Sequence, residues 1–155
     1  MIIISHRGNL NGPEPQRENH PDYIDSAIKL GYDVEIDLRF KQGGLWLGHD
    51  EPQYLITLKW LHQRRDKIWI HVKDYDSLVA IIDENLRYFC HQSDDFTLIS
   101  NGYAWVHDLS KKITKKCVIP LLDKESITEF KQNDFHAICT DYVYFCERNL
   151  EFKNQ

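Results

Sequence analysis

The chain has 155 residues, 42% of them hydrophobic and 28% charged, the balance of one globular domain over 1–155 rather than of a fibrous or disordered chain. A formal net charge of −5 without any basic run argues against nucleic acid as a partner. No apolar run reaches membrane-spanning length, and Met1 leads straight into an apolar strand pattern without a signal peptide, so a cytoplasmic protein with no stable membrane insertion is expected. Oligomeric state is left open.

In chain order, Ile2-Ile3-Ile4-Ser5 reads as a buried strand that opens at His6-Arg7-Gly8 into a loop rich in Gly, Pro and Asn. A helix follows, capped by Asn19 or His20, with Pro21 in its first turn and Gly31 as its stop. Tyr23, Ile24, Ala27 and Ile28 fall at helical spacing and predict its buried face.

Asp33 to Leu38 is the most informative stretch. Successive strand side chains alternate between faces, so Glu35 and Asp37 share one face while Val34, Ile36 and Leu38 share the other. Two adjacent buried carboxylates repel, and a hard divalent cation between them would answer that repulsion. An edge strand with its polar face in water is the other reading of the same pattern. Gly43-Gly44 then signals a hairpin turn, which would pair Leu45-Trp46-Leu47 with Phe40 and Lys41 and bring His49-Asp50 opposite Leu38 and Asp37.

Thr57 to Arg65 predicts a helix, and Ile68 to Lys73 a third strand with Trp69, His71 and Lys73 on one face. Asp76 to Asn85 predicts a helix capped by Asp74 or Asp76, with Leu78, Val79, Ile81 and Ile82 buried. Strands are expected over 87–91, 103–107, 117–121 and 137–141, and a helix over 127–132. The connections 92–102 and 108–116 are too short for ordinary helical crossovers. The four cysteines, Cys90, Cys117, Cys139 and Cys146, lack CxxC spacing and lie mostly in apolar runs, so buried free thiols are expected.

Polar residues close nearly every expected strand: His6, Asp37, Lys73, His91, His107 and Asp141. Parallel α/β barrels place their sites at that end of the strands. The expected fold is therefore α/β, a compact, reduced TIM-type (β/α) barrel with mostly parallel strands, since 155 residues fall short of the roughly 250 of a full barrel.

The ordered pieces Ile4-Ser5-His6-Arg7-Gly8, Arg17-Glu18-Asn19, Ala27 to Gly31, Val34-Glu35-Ile36-Asp37 and His49-Asp50 resemble the signature of the glycerophosphodiester phosphodiesterase family. That family belongs to a wider group of metal-dependent, barrel-shaped phosphodiesterases that includes phosphatidylinositol-specific phospholipase C. Arg17 stands where the family has proline, and Thr140-Asp141 resembles the pair that closes the family's last strand. The resemblance implies a divalent cation held by Glu35 and Asp37, an acid/base pair of His6 and His49, and phosphate contacts from Arg7 and Lys73. It also implies a small-molecule phosphodiester substrate and a place in lipid metabolism.

His71 stands where the family has its third carboxylate. Magnesium or calcium follows from the resemblance, whereas imidazole favours manganese or zinc; a histidine bonded to a metal-bound water, or merely satisfied by a neighbour, fits the position equally. The expected activity is hydrolysis of a small glycerophosphodiester or related phosphodiester, histidine being the side chain suited to both proton transfers near neutrality. A lyase-type reaction giving a cyclic phosphate, and a binding module without catalysis, are the alternatives.

Overall fold

A computed structural model describes the chain from residue 2 to residue 153, with side chains as far as residue 149; Met1 lies outside the described residues. The elements are β1 (Ile2–His6), α1 (Pro21–Lys29), β2 (Asp33–Lys41), β3 (Gly44–Leu47), β4 (Tyr54–Ile56), α2 (Leu58–Gln63), β5 (Ile68–Val72), α3 (Tyr75–Ile81), β6 (Tyr88–Phe89), β7 (Phe96–Leu98), β8 (Ala104–Val106), β9 (Cys117–Pro120), α4 (Lys124–Glu129), β10 (Ala137–Thr140) and α5 (Val143–Lys153). None of the described helices is long and apolar enough to cross a membrane.

The strands form one curled sheet in the order β6, β5, β2, β1, β10, β9, β8, each pair parallel. Its inner face carries Ile4, Trp69, Phe89, Trp105, Val118, Ala137 and Cys139 in one apolar cluster. Its outer face meets the helices, with Ile36, Leu38, Ile68 and Ile70 under α1, α2 and α3 and Ile119 and Ile138 packed in a second cluster with Ile127 of α4 and Cys146 of α5. This inside-outside alternation is the strand period of two read from the sequence. Apart from α5 and the short strands β4 and β7, the elements fall where they were expected, although α3 ends at Ile81, a turn short of Asn85, and α4 lies a turn earlier, capped by Asp123.

The sheet is mixed and the barrel open, against the expectation of a TIM-type barrel. The chain between β6 and β8 holds no crossover helix, so it returns as β7, antiparallel to β8; a parallel return needs a longer connection. The two margins still touch. Ser100 donates its backbone N–H to the Tyr88 carbonyl at 2.9 Å, and the Phe89 and Trp105 rings stack at 4.4 Å, but β6 and β8 share no ladder. Val79 and Ile82, expected inside, are 55% and 50% exposed, because α3 turns Ser77 and Ile81 to the sheet and leaves Val79 and Ile82 on its outer face. Cys90 is likewise exposed, while Cys117, Cys139 and Cys146 are buried.

Three local details aim the site. His20 caps α1 by accepting the Asp22 N–H, with Pro21 at the first helical position. The hairpin turns on Gln42-Gly43 rather than Gly43-Gly44, both central residues having positive φ (+51° and +76°), the requirement of the tight turn that matches strand twist. Leu38 therefore pairs with Leu47 and Phe40 with Leu45, and His49 leaves the ladder instead of pairing with Leu38 or Asp37. At Gly48 a Cβ would run into the Glu51 carbonyl oxygen, so only glycine lets the chain bend there to present His49.

Candidate active site

One edge of β2 is shared by two partners, β1 over Asp33–Glu35 and β3 from Leu38 onward. Between them the ladder forks, and the backbone of Asp37 would lose its partners. Loop residues fill the fork. Asn19 accepts the Asp37 N–H through Oδ1 and donates from Nδ2 to Asp37 Oδ2, both at 2.9 Å; Gly48 donates its N–H to the Asp37 carbonyl at 3.1 Å. Arg7 brings Nε to 2.9 Å from the same Oδ2 and Nη1 to Glu18 at 3.2 Å. Arg7 and Asn19 both have positive φ, +54° and +62°; asparagine tolerates this region, but for arginine it is uncommon, and such strain persists only where neighbours hold it.

The wall of the open end carries His6, Glu35, His71 and Lys73 from β1, β2, β5 and the residue after it, because the parallel register sets their inward positions side by side: His6 opposite Glu35 and Asp37 opposite His71. Glu35, Asp37 and His71 offer ligand atoms that all lie within 4.8 Å of one another. Glu35 Oε1 is 3.6 Å and Asp37 Oδ1 3.4 Å from His71 Nδ1, while Glu35 Oε2 is 3.8 Å from His6 Nε2. Both carboxylates are buried, yet Glu35 Oε2 and Asp37 Oδ1 have no hydrogen bond. Buried carboxylate oxygens are costly without a partner, and two carboxylates with an imidazole form a donor set for a divalent cation. These residues fit the cation that the sequence pattern implies.

The imidazoles are oriented by their far nitrogens, as ligating or catalytic histidines must be. His71 donates from Nε2 to the His91 carbonyl at 3.0 Å, which leaves Nδ1 toward the carboxylates. His6 donates from Nδ1 to Asp141 at 2.8 Å, and Asn9 donates to the same oxygen at 2.7 Å, which leaves Nε2 toward Glu35. Burial pulls the His71 pKa down, but Asp37 and Glu35 outweigh it and raise it to about 9. His6 is raised too, burial being overcome by Asp141 and Glu35. Burial would raise Asp37, but His71, the Arg7 charge and Asn19 hold it well below the usual carboxylate range. Burial and the nearby His91 and His71 instead lower His107 to about 4.

A cavity of about 550 Å³ opens beside these groups, and His6, Arg7, Glu35, His49, His71 and Lys73 all line it. His49 stands at its rim, its side chain 40% exposed and hydrogen-bonded to Asp50 at 2.8 Å; Arg39 anchors its carbonyl from Nε and Nη2. Lys73 brings Nζ to 3.6 Å from Asp37. His91 and His107 stack at 3.7 Å across the same opening. Asn9 and the bonds of Asn19 and Asp141 escaped the sequence reading as parts of the site. Asn19 and Asp141 gave a signal through the pieces Arg17-Glu18-Asn19 and Thr140-Asp141, and Asp141, just after the last strand, falls next to His6 once β10 pairs with β1 through Ser5 and Thr140.

No protein-family model matches the chain, and no curated protein is similar to it in sequence. Among solved structures, the glycerophosphodiester phosphodiesterase from Agrobacterium tumefaciens C58 is similar at 15% identity and a TM-score of 0.59, over 97% of this chain and 99% of that one. The chain therefore has the fold of a glycerophosphodiester phosphodiesterase, in a form whose sheet is mixed and open.

Proposed function

We propose that the chain is a metal-dependent phosphodiesterase that hydrolyses a small glycerophosphodiester or a related phosphodiester. The observation that carries this reading is the group of Glu35, Asp37 and His71, in which both carboxylates are buried and keep an oxygen without a hydrogen bond, on the wall of a cavity that His6 and His49 also line. The name of the similar structure supports it. Glu35, Asp37 and His71 would hold the cation, which supplies neutralising charge for the phosphate and makes an attacking water more acidic. Manganese or zinc suits a set with one imidazole better than magnesium or calcium does.

The remaining steps belong to the chain's own groups. Arg7 and Lys73 draw the anionic phosphate to the polar wall and hold it by charge-assisted hydrogen bonds. His6, with Nδ1 fixed on Asp141 and its pKa raised, keeps a proton on Nε2 for the leaving alkoxide. His49, at the wet rim, takes the proton of the attacking water. Turnover of a panel of phosphodiesters with magnesium, calcium, manganese and zinc ions is the test. Cation-dependent release of an alcohol from at least one diester, lost in His49→Ala, is expected; no turnover with any pairing would overturn the reading.

A further inference from the structure

The cavity has two chemically distinct halves. Strands β1, β2 and β5 supply the charged half described above. The arc from β6 to the end of β9 contributes Phe89, Trp105, Pro120 and Leu122, and α3 adds Tyr75 and Leu78. Between Phe89 and Leu122 the lining residues include no lysine, arginine, aspartate or glutamate; the polar ones are Gln92 and the stacked pair His91 and His107.

The two halves are joined by rings. His71 stacks on Phe89 at 4.9 Å and 13°, and Phe89 stacks on Trp105 at 4.4 Å and 18°. Apolar surface thus begins one ring away from the group that would hold the cation. At the mouth, Tyr75 is 76% and Leu122 40% exposed. Scattered single apolar residues on a surface need no explanation, but these two line the opening of a cavity whose inner wall is already apolar. A polar substituent of glycerol size would leave that surface in water. The volume of about 550 Å³ lies in the range that encloses a whole small ligand, roughly 300 to 1,000 Å³, more than a phosphate with two short polyols requires.

We propose that the preferred substrate is a single-chain amphiphilic phosphodiester, with its phosphate on the charged half and its alkyl chain along Phe89 and Trp105, leaving between Tyr75 and Leu122. This rests on the phosphodiesterase reading of the same site and names the substrate class. The cavity wall from Phe89 to Leu122, without a lysine, arginine, aspartate or glutamate, favours an apolar substituent over a second ionic one.

Affinity across a series of n-alkyl phosphocholines with lengthening chains tests it. Each stays below its micelle concentration, is titrated into the full chain with manganese present, and is followed by calorimetry. A buried methylene should tighten binding about fourfold, and Leu122→Asp and Tyr75→Ser should each flatten that dependence. Leu55→Asp, an exposed apolar position on β4 outside the cavity, should keep it. Affinity independent of chain length, a slope unchanged in both mouth variants, or a slope equally lost in Leu55→Asp would overturn the proposal. Turnover separates the two ideas: a short diester hydrolysed with no chain-length slope leaves the phosphodiesterase standing without its amphiphile, whereas a slope lost in the mouth variants without hydrolysis of any diester leaves the amphiphile site without the enzyme.

Discussion

Asp33 and Asp37 stand on the same face of β2, at opposite ends of the barrel interior, and their surroundings differ in kind. Asp33, at the closed end, receives Lys67 Nζ at 3.1 Å and Trp69 Nε1 at 3.0 Å, with Arg87 at 3.6 Å and its guanidinium over the Trp69 ring. That carboxylate is answered by cations and a donor that the fold itself supplies. At the open end, Arg7 and Asn19 answer Asp37 Oδ2 at 2.9 Å, but Glu35 Oε2 and Asp37 Oδ1 keep no hydrogen bond, and the imidazoles of His6 and His71 stand 3.4 to 3.8 Å from the two carboxylates. The closed end satisfies its carboxylate, and the open end leaves two buried oxygens without hydrogen bonds. Buried charge reads as a site only where the protein stops short of satisfying it.

The largest effect should come from His6→Ala. General acid catalysis contributes about 10² to 10⁴-fold, and kcat on the best diester should fall by that much. Folding should survive, since Asn9 still donates to Asp141 at 2.7 Å; near wild-type kcat would remove His6 from the chemistry. Asp33→Ala should do the opposite, costing about 1 to 3 kcal/mol of stability by leaving the buried Trp69 Nε1–H without its acceptor while leaving the cation's effect on melting intact, as denaturant titration with and without metal would show.

Glu35→Gln sharpens the contrast. In the wild type a cation at a hundredfold excess over Kd should stabilise the fold by about 2.7 kcal/mol. The variant should lose this shift and yet melt no lower than the metal-free wild type, because it relieves a buried carboxylate one of whose oxygens has no hydrogen bond. A melting temperature indifferent to EDTA and to added ions would count against any metal at this end. His71→Glu comes next: an all-oxygen set should move preference from zinc or manganese toward magnesium or calcium, and unchanged selectivity in competition binding would take His71 out of the ligand set.

The smallest effect concerns pH without metal. His71 is raised from 6.5 to about 9, so the folded state holds this proton more tightly than the unfolded one. Its contribution to stability is complete below about pH 6.5 and disappears as pH rises through about 9. His107, lowered to about 4, acts with the other sign, and its contribution is lost as pH falls below its ordinary range. Melting curves of metal-free protein should therefore fall off by a few degrees on the alkaline side, and His71→Gln should remove that loss; an identical alkaline profile in the variant would contradict the cause assigned to it.

The sequence by itself determined the alternation of β2, β5 and β1, and with it the inward placement of His6, Glu35, Asp37, His71 and Lys73, because strand period is a local property and parallel neighbours inherit it. It also narrowed the cap of α1 to Asn19 or His20, placed its stop at Gly31 and marked the neighbourhood of the hairpin. What it left to the tertiary structure depends on which strands become neighbours. The His6–Asp141 bond exists because the last strand lies beside the first. The Asn19 and Gly48 bonds to Asp37 exist because two partners share one edge of β2 and leave a fork. The opening between β6 and β8 arises because a short connection cannot return parallel. Val79 and Ile82 show the same limit. Their helical spacing predicts burial, but burial needs a covering partner, and the spacing of apolar residues along one helix carries no information about whether another helix is there.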